Sequence, residues 1–86
     1  EFRLDQNYPN PFNPSTTIKF ALPTDANVKL TVFNTLGEKI SDLLNGQMSA
    51  GTHIVEFNAA SLPSGIYFYR IETDKFSAIR KMILMK

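Results

Sequence analysis

The apolar residues of this chain recur with a period of two almost from end to end. In Thr17–Leu22, Ile18, Phe20 and Leu22 alternate with Thr17, Lys19 and Ala21. In Val28–Asn34, Val28, Leu30 and Val32 alternate with Lys29 and Thr31. Successive side chains of a strand point to opposite faces, so each run predicts a half-buried strand with one wet face. His53, Val55 and Phe57 share one face of a further run, and Ile54 and Glu56 share the other. Ile66–Glu72 carries Tyr67, Tyr69 and Ile71 on one face and Ile66, Phe68 and Arg70 on the other. Apolar character on both faces predicts a central strand. Phe76–Met85 is the last run, with Met82 and Leu84 alternating with Ile83 and Met85. No stretch reads as a helix.

Turn residues separate these runs. Asn34-Thr35-Leu36-Gly37 has the residues of a type I turn followed by a left-handed position. Glu38–Leu44 then returns as an antiparallel partner. Lys39, Ser41 and Asp42 make it weakly periodic, which predicts an edge strand. Pro23-Thr24-Asp25-Ala26-Asn27 and Thr73-Asp74-Lys75 are further turns, and Asn45–Ala50 reads as a polar loop ending at Gly51. Leu62-Pro63-Ser64-Gly65 again suits a type I turn. The sum is six or seven short strands, the pattern of an all-β, immunoglobulin-like antiparallel β-sandwich of about seven strands. The 86 residues make a single domain, 1–86, with an Asn/Pro-rich lead-in over 1–15 and the sandwich over 16–86.

That lead-in is the one compositional shift. Asn7-Tyr8-Pro9-Asn10-Pro11-Phe12-Asn13-Pro14 alternates prolines with asparagines around two aromatics. Each proline fixes its own φ and pushes the preceding residue out of the helical region, so the segment is extended and stiff. Its asparagines can bond nearby backbone, or a neighbouring strand, in place of a missing ladder. Tyr8 and Phe12 are available as packing anchors.

Composition excludes several function classes. With no cysteine there is no disulfide, thiolate nucleophile or Cys-based metal site. A net charge of +1 gives no field for nucleic acid or an anionic membrane. No apolar run approaches the ~18 residues of a membrane helix. Glu1, Arg3 and Asp5 are too polar for the apolar core of a secretion leader, and the chain reads as one module of a longer protein. His53 is the only histidine, so no two-His metal site exists. It reads as a packing residue, since no serine lies in a nucleophile elbow and no cofactor site is visible. The carboxylates Asp5, Asp25, Asp42 and Asp74 are scattered without calcium-loop spacing, which leaves only a single loop-bound ion open. The aromatics lack Trp and favour core packing over sugar stacking; Phe33 and Phe68 are the ones expected on an outer face.

The last strand ends on Arg80-Lys81-Met82-Ile83-Leu84-Met85-Lys86. An apolar strand closed by lysine can be an edge with anti-aggregation guards. It can also be a handle, to which another protein adds a strand or whose apolar alternation another protein reads. Weak dimerisation through the same strand is left open. Removing Lys81–Lys86 is expected to leave most of the sandwich folded.

Three blocks, in order, tip this balance. The first is Gln6-Asn7-Tyr8-Pro9-Asn10-Pro11-Phe12-Asn13-Pro14-Ser15-Thr16-Thr17-Ile18. The second is the strand ending in Asn34-Thr35-Leu36-Gly37. The third is Leu62-Pro63-Ser64-Gly65-Ile66-Tyr67-Phe68-Tyr69-Arg70, running on to Lys81-Met82-Ile83-Leu84-Met85-Lys86. Together they resemble the C-terminal sorting domain of the type IX (Por) secretion system, type A, over essentially the whole chain. Phe57 stands where many members carry Trp.

The resemblance implies a seven-stranded immunoglobulin-like sandwich at the C-terminus of a secreted protein of Bacteroidetes-type bacteria. It implies a non-enzymatic signal that directs an N-terminally attached cargo through an outer-membrane translocon, by way of the periplasm. The implied partners are an outer-membrane shuttle protein and a surface sortase that removes the domain, near or before Glu1, and attaches the cargo to the cell surface. Recognition is then expected at Lys81, Met82, Ile83, Leu84, Met85 and Lys86. Gly65 and Tyr67 would support the neighbouring strand, and Asn7–Pro14 would brace the sandwich. The alternative is a structural or adhesive immunoglobulin-like module of a secreted protein, with carbohydrate binding behind it.

Overall fold

The computed structural model describes all 86 residues as seven antiparallel strands in two facing sheets. The strands are β1 (Arg3–Leu4), β2 (Ser15–Leu22), β3 (Ala26–Phe33), β4 (Lys39–Met48), β5 (Gly51–Asn58), β6 (Gly65–Glu72) and β7 (Ser77–Leu84). One sheet has the order β1-β2-β5 and the other β4-β3-β6-β7. In chain order these reproduce the A-B-E and C-F-G arrangement of an immunoglobulin sandwich, with β4 added beside β3. The expected all-β sandwich is what the chain forms.

The alternation places the side chains as expected. Ile18, Phe20 and Leu22 of β2 face Val28, Leu30 and Val32 of β3 and Tyr67, Tyr69 and Ile71 of β6 across one core. Met82 and Leu84 of β7 complete it, with Leu4, Phe12, Phe57 and Ala59. β6 lies between β3 and β7, which explains its two apolar faces. The β3–β4 hairpin forms at Asn34–Gly37. The Gly37 N–H donates to the Asn34 carbonyl, and Gly37 has φ 81°. The Asn34 side chain accepts from the backbone N–H groups of Leu36 and Glu38, closing the turn from inside. β4 is an edge strand, as its weak periodicity predicts.

Four expectations are corrected. Asn45–Met48 is the second half of β4, not a loop: Asn45, Gly46, Gln47 and Met48 pair with Lys29, Val28, Asn27 and Ala26. Half of an edge strand's backbone meets solvent, so polar residues there do not break it. The bonded turn before β6 is Ala59–Leu62, where the Leu62 N–H donates to the Ala59 carbonyl, and Gly65 is instead the first residue of β6. Near that corner the Tyr67 hydroxyl donates to the Pro63 carbonyl at 2.7 Å. This is the tyrosine corner of immunoglobulin-like sandwiches. The lead-in contains the short strand β1, and β2 begins at Ser15. Tyr8 is no packing anchor, because it is 81% exposed. It pairs antiparallel with Thr17, and paired residues share a face, here the outer one.

Candidate recognition surface

The lead-in is built into the sandwich and reaches from one sheet to the other. Asp5 and Tyr8 bond to the backbone of β2 at Lys19 and Thr17. Asn7, 2% exposed, donates to Thr16 Oγ1 and to the Pro9 carbonyl, and Thr16 Oγ1 donates to that same carbonyl. A buried carboxamide with its donors used fixes the path of the segment. The bonds preceding Pro9, Pro11 and Pro14 are cis. Phe12 then enters the core beside Phe57, with ring centroids 6.2 Å apart.

The same segment also runs along the outer edge of β7. Phe12 donates its N–H to the Ile83 carbonyl at 2.9 Å and accepts the Met85 N–H at 3.0 Å. Asn10 Oδ1 accepts the Ile83 N–H at 2.9 Å, and Gln6 Nε2 donates to the Lys81 carbonyl at 2.7 Å. Arg80 donates to the Leu4 carbonyl and Tyr69 to the Asp5 carbonyl. The edge of β7 between Lys81 and Met85 is therefore closed by the chain's own lead-in. This corrects the expectation of an open handle for strand addition, or for pairing with a second copy, over these residues. That Asn10 bonds a strand in place of a missing ladder is what the lead-in's asparagines predict; which strand it meets is set by partners far apart in sequence.

The six terminal residues divide by face. Met82 and Leu84 are fully buried in the core, while Lys81, Met85 and Lys86 are exposed and Ile83 is half-buried. In the folded domain only these last four offer side chains to a partner. Lys86 is held in place: its N–H donates to Ser64 Oγ and its Nζ to the Ala60 carbonyl. Met82 and Leu84 are core residues, so removing Lys81–Lys86 strips two fully buried side chains, which counts against the expectation that most of the sandwich stays folded.

The outer face beside β7 is partly apolar. Phe33 and Phe68 are half-buried on that face, and the Arg70 guanidinium lies 4.6 Å from the centre of the Phe33 ring. With Asn34 and Ile79 they line a shallow hollow of about 270 Å³. Arg70 reaches Glu72 only at 3.5 Å, and its Nε has no partner.

His53, Asp42 and Tyr69 each have a partner within the sandwich. His53 stacks on Phe20, ring centroids 5.3 Å apart, and its Nε2 lies 2.7 Å from the Ser49 carbonyl. The hydrogen bond from Lys39 holds the Asp42 carboxyl below its ordinary range. Burial pushes the Tyr69 hydroxyl up to about 12. No three of the His, Asp and Glu side chains converge on a common point.

No curated protein matches the chain. A family model described as a secretion system C-terminal sorting domain matches residues 6–85. The match runs from Gln6, whose side chain is bonded to the terminal strand, to Met85, the last residue bonded to the lead-in. The chain belongs to the C-terminal sorting domains of the type IX secretion system.

Proposed function

We propose that this domain acts as a folded, passive address, read at the outward side chains of its terminal strand. The family makes it a secretion sorting signal for an upstream cargo, and that family is not an enzyme family. The observation that carries the finer reading is the division of the last six residues. Lys81, Ile83 and Met85 turn outward, Lys86 is exposed just past the strand's end, and Met82 and Leu84 hold the strand in the core. The Asn/Pro lead-in fixes the strand's edge, so the outward residues stand in one geometry. A rigidly presented set of side chains loses little entropy on binding. Asn7–Pro14, Gly37, Gly65 and Tyr67 then serve the presentation rather than the contact.

In this reading an outer-membrane shuttle protein takes the outward residues of β7, and a surface sortase later releases the domain and attaches the cargo to the cell surface. The test is secretion of a fluorescent reporter fused ahead of residues 1–86 and behind a signal peptide. It is run in a type IX-competent bacterium and a translocon-deficient twin. Export only in the competent strain, lost when Lys81, Met85 and Lys86 are changed together to Ser, is the expected outcome. Undiminished export of that folded triple variant overturns the assignment of these residues. Retention in both strains favours a structural module.

A further inference from the structure

The strand edges of the two sheets meet different fates. β7 is covered by the lead-in between Lys81 and Met85. β1 has two residues, and its chain goes on to bond β2 again at Asp5 and Tyr8. β4 is interrupted by two register shifts, where Leu43 and Ile40 have no Cα partner, and it continues as Asn45-Gly46-Gln47. Bulges and polar residues of this kind protect an edge. β5 is different. Its eight residues run in unbroken register against β2, and nothing pairs with its other side. In an antiparallel ladder alternate residues turn both N–H and C=O to the same side, so half the backbone groups of β5 face outward unbonded. No lysine, proline or bulge guards them, and Ile54 is 66% exposed.

The sheet that ends at β5 is also one strand short of its partner, three against four. In a constant-type immunoglobulin sandwich a further strand lies beside the equivalent of β5, and here the chain has placed its fourth strand in the other sheet. The consequence appears on β4. Ile40, Leu43, Leu44 and Met48 pack against the core yet are only partly buried.

We propose that the open edge of β5 accepts an extended segment of a partner chain, pairing antiparallel with Gly51–Glu56 and completing the three-stranded sheet. Alternate residues of that segment face inward over Ile40, Leu44 and Met48 and must be apolar. Glu56 is the single charge on β5 and faces solvent, so the residue opposite it is a cation. A second copy of this chain does not suit the site, because pairing β5 with β5 brings two overhanging β4 strands into the same space. The inference rests on the edges alone, so its failure leaves the export reading untouched.

The probe is the synthetic peptide acetyl-Val-Lys-Val-Thr-Val-Thr-Val-amide, whose lysine falls opposite Glu56 when the peptide pairs antiparallel with Gly51–Glu56, titrated into the intact domain and followed by amide NMR. The expected result is shifts at Thr52–Glu56 and at Ile40, Leu44 and Met48. Exchange of the outward β5 amides should slow by about tenfold or more as they gain partners. The same peptide N-methylated at alternate residues should not bind. Glu56→Lys should weaken binding by about two- to fivefold, with recovery when glutamate replaces the peptide's lysine. Absence of shifts at millimolar peptide, equal binding of the N-methylated form, or shifts confined to β7 would each overturn the proposal.

Discussion

Asn10 and Ile83, 73 positions apart, are joined by a 2.9 Å hydrogen bond from the Ile83 N–H to the Asn10 side-chain oxygen. The lead-in thus supplies a side chain where a sheet would supply another strand. Asn10→Ala leaves that N–H to solvent and should cost about 1 kcal/mol. It should also speed exchange of the Ile83 amide more than that of Tyr69, whose strand is internal to its sheet. Urea denaturation and native-state exchange check both. An unchanged Ile83 exchange rate would mean that the lead-in does not protect this edge.

The split of the terminal residues predicts a split in stability. Met82→Ala and Leu84→Ala remove fully buried side chains and should each cost about 2–5 kcal/mol. Lys81→Ala and Met85→Ala, at exposed positions, should stay within about 0.5 kcal/mol. Thermal or urea unfolding of the four variants distinguishes them. Export defects of the first pair would then reflect unfolding, whereas defects of the second pair would reflect recognition.

Gly37 adopts φ 81° with open space where a Cβ would be placed. The cost of a side chain there is backbone strain, not collision. Gly37→Val should destabilise by about 1–2 kcal/mol, and Gly37→Asn by less, since Asn tolerates the left-handed region better. Equal losses for Val and Asn in chemical denaturation would contradict the turn geometry.

Tyr69 links stability to alkaline pH. Its hydroxyl donates to the Asp5 carbonyl at 2.6 Å, and burial raises its pKa from 10.0 to about 12. The unfolded chain therefore loses this proton first. The stability it contributes is present below pH 10 and is lost as pH rises toward 12. Urea midpoints measured across that window should fall more steeply for the wild-type domain than for Tyr69→Phe. Parallel slopes would show that the hydroxyl does not carry the effect.

Strand content, the facing of side chains and the β3–β4 hairpin were legible in the sequence. Alternation and turn chemistry are local: Val28, Leu30 and Val32 point inward because successive strand residues point to opposite faces. Gly37 follows Asn34 because that turn needs a left-handed residue. The three motif blocks also carried the family. Other features were decided by partners distant in sequence. Tyr8 is exposed because it pairs with Thr17, and Asn45–Met48 is strand because β3 offers it a ladder. The closed edge of β7 depends on contacts from Gln6, Asn10 and Phe12. Such pairings leave no periodic trace, since a backbone hydrogen bond can be made by almost any residue. The edge of β7 is shut because the two ends of the chain meet there, and the edge of β5 stands open because the fourth strand joins the other sheet.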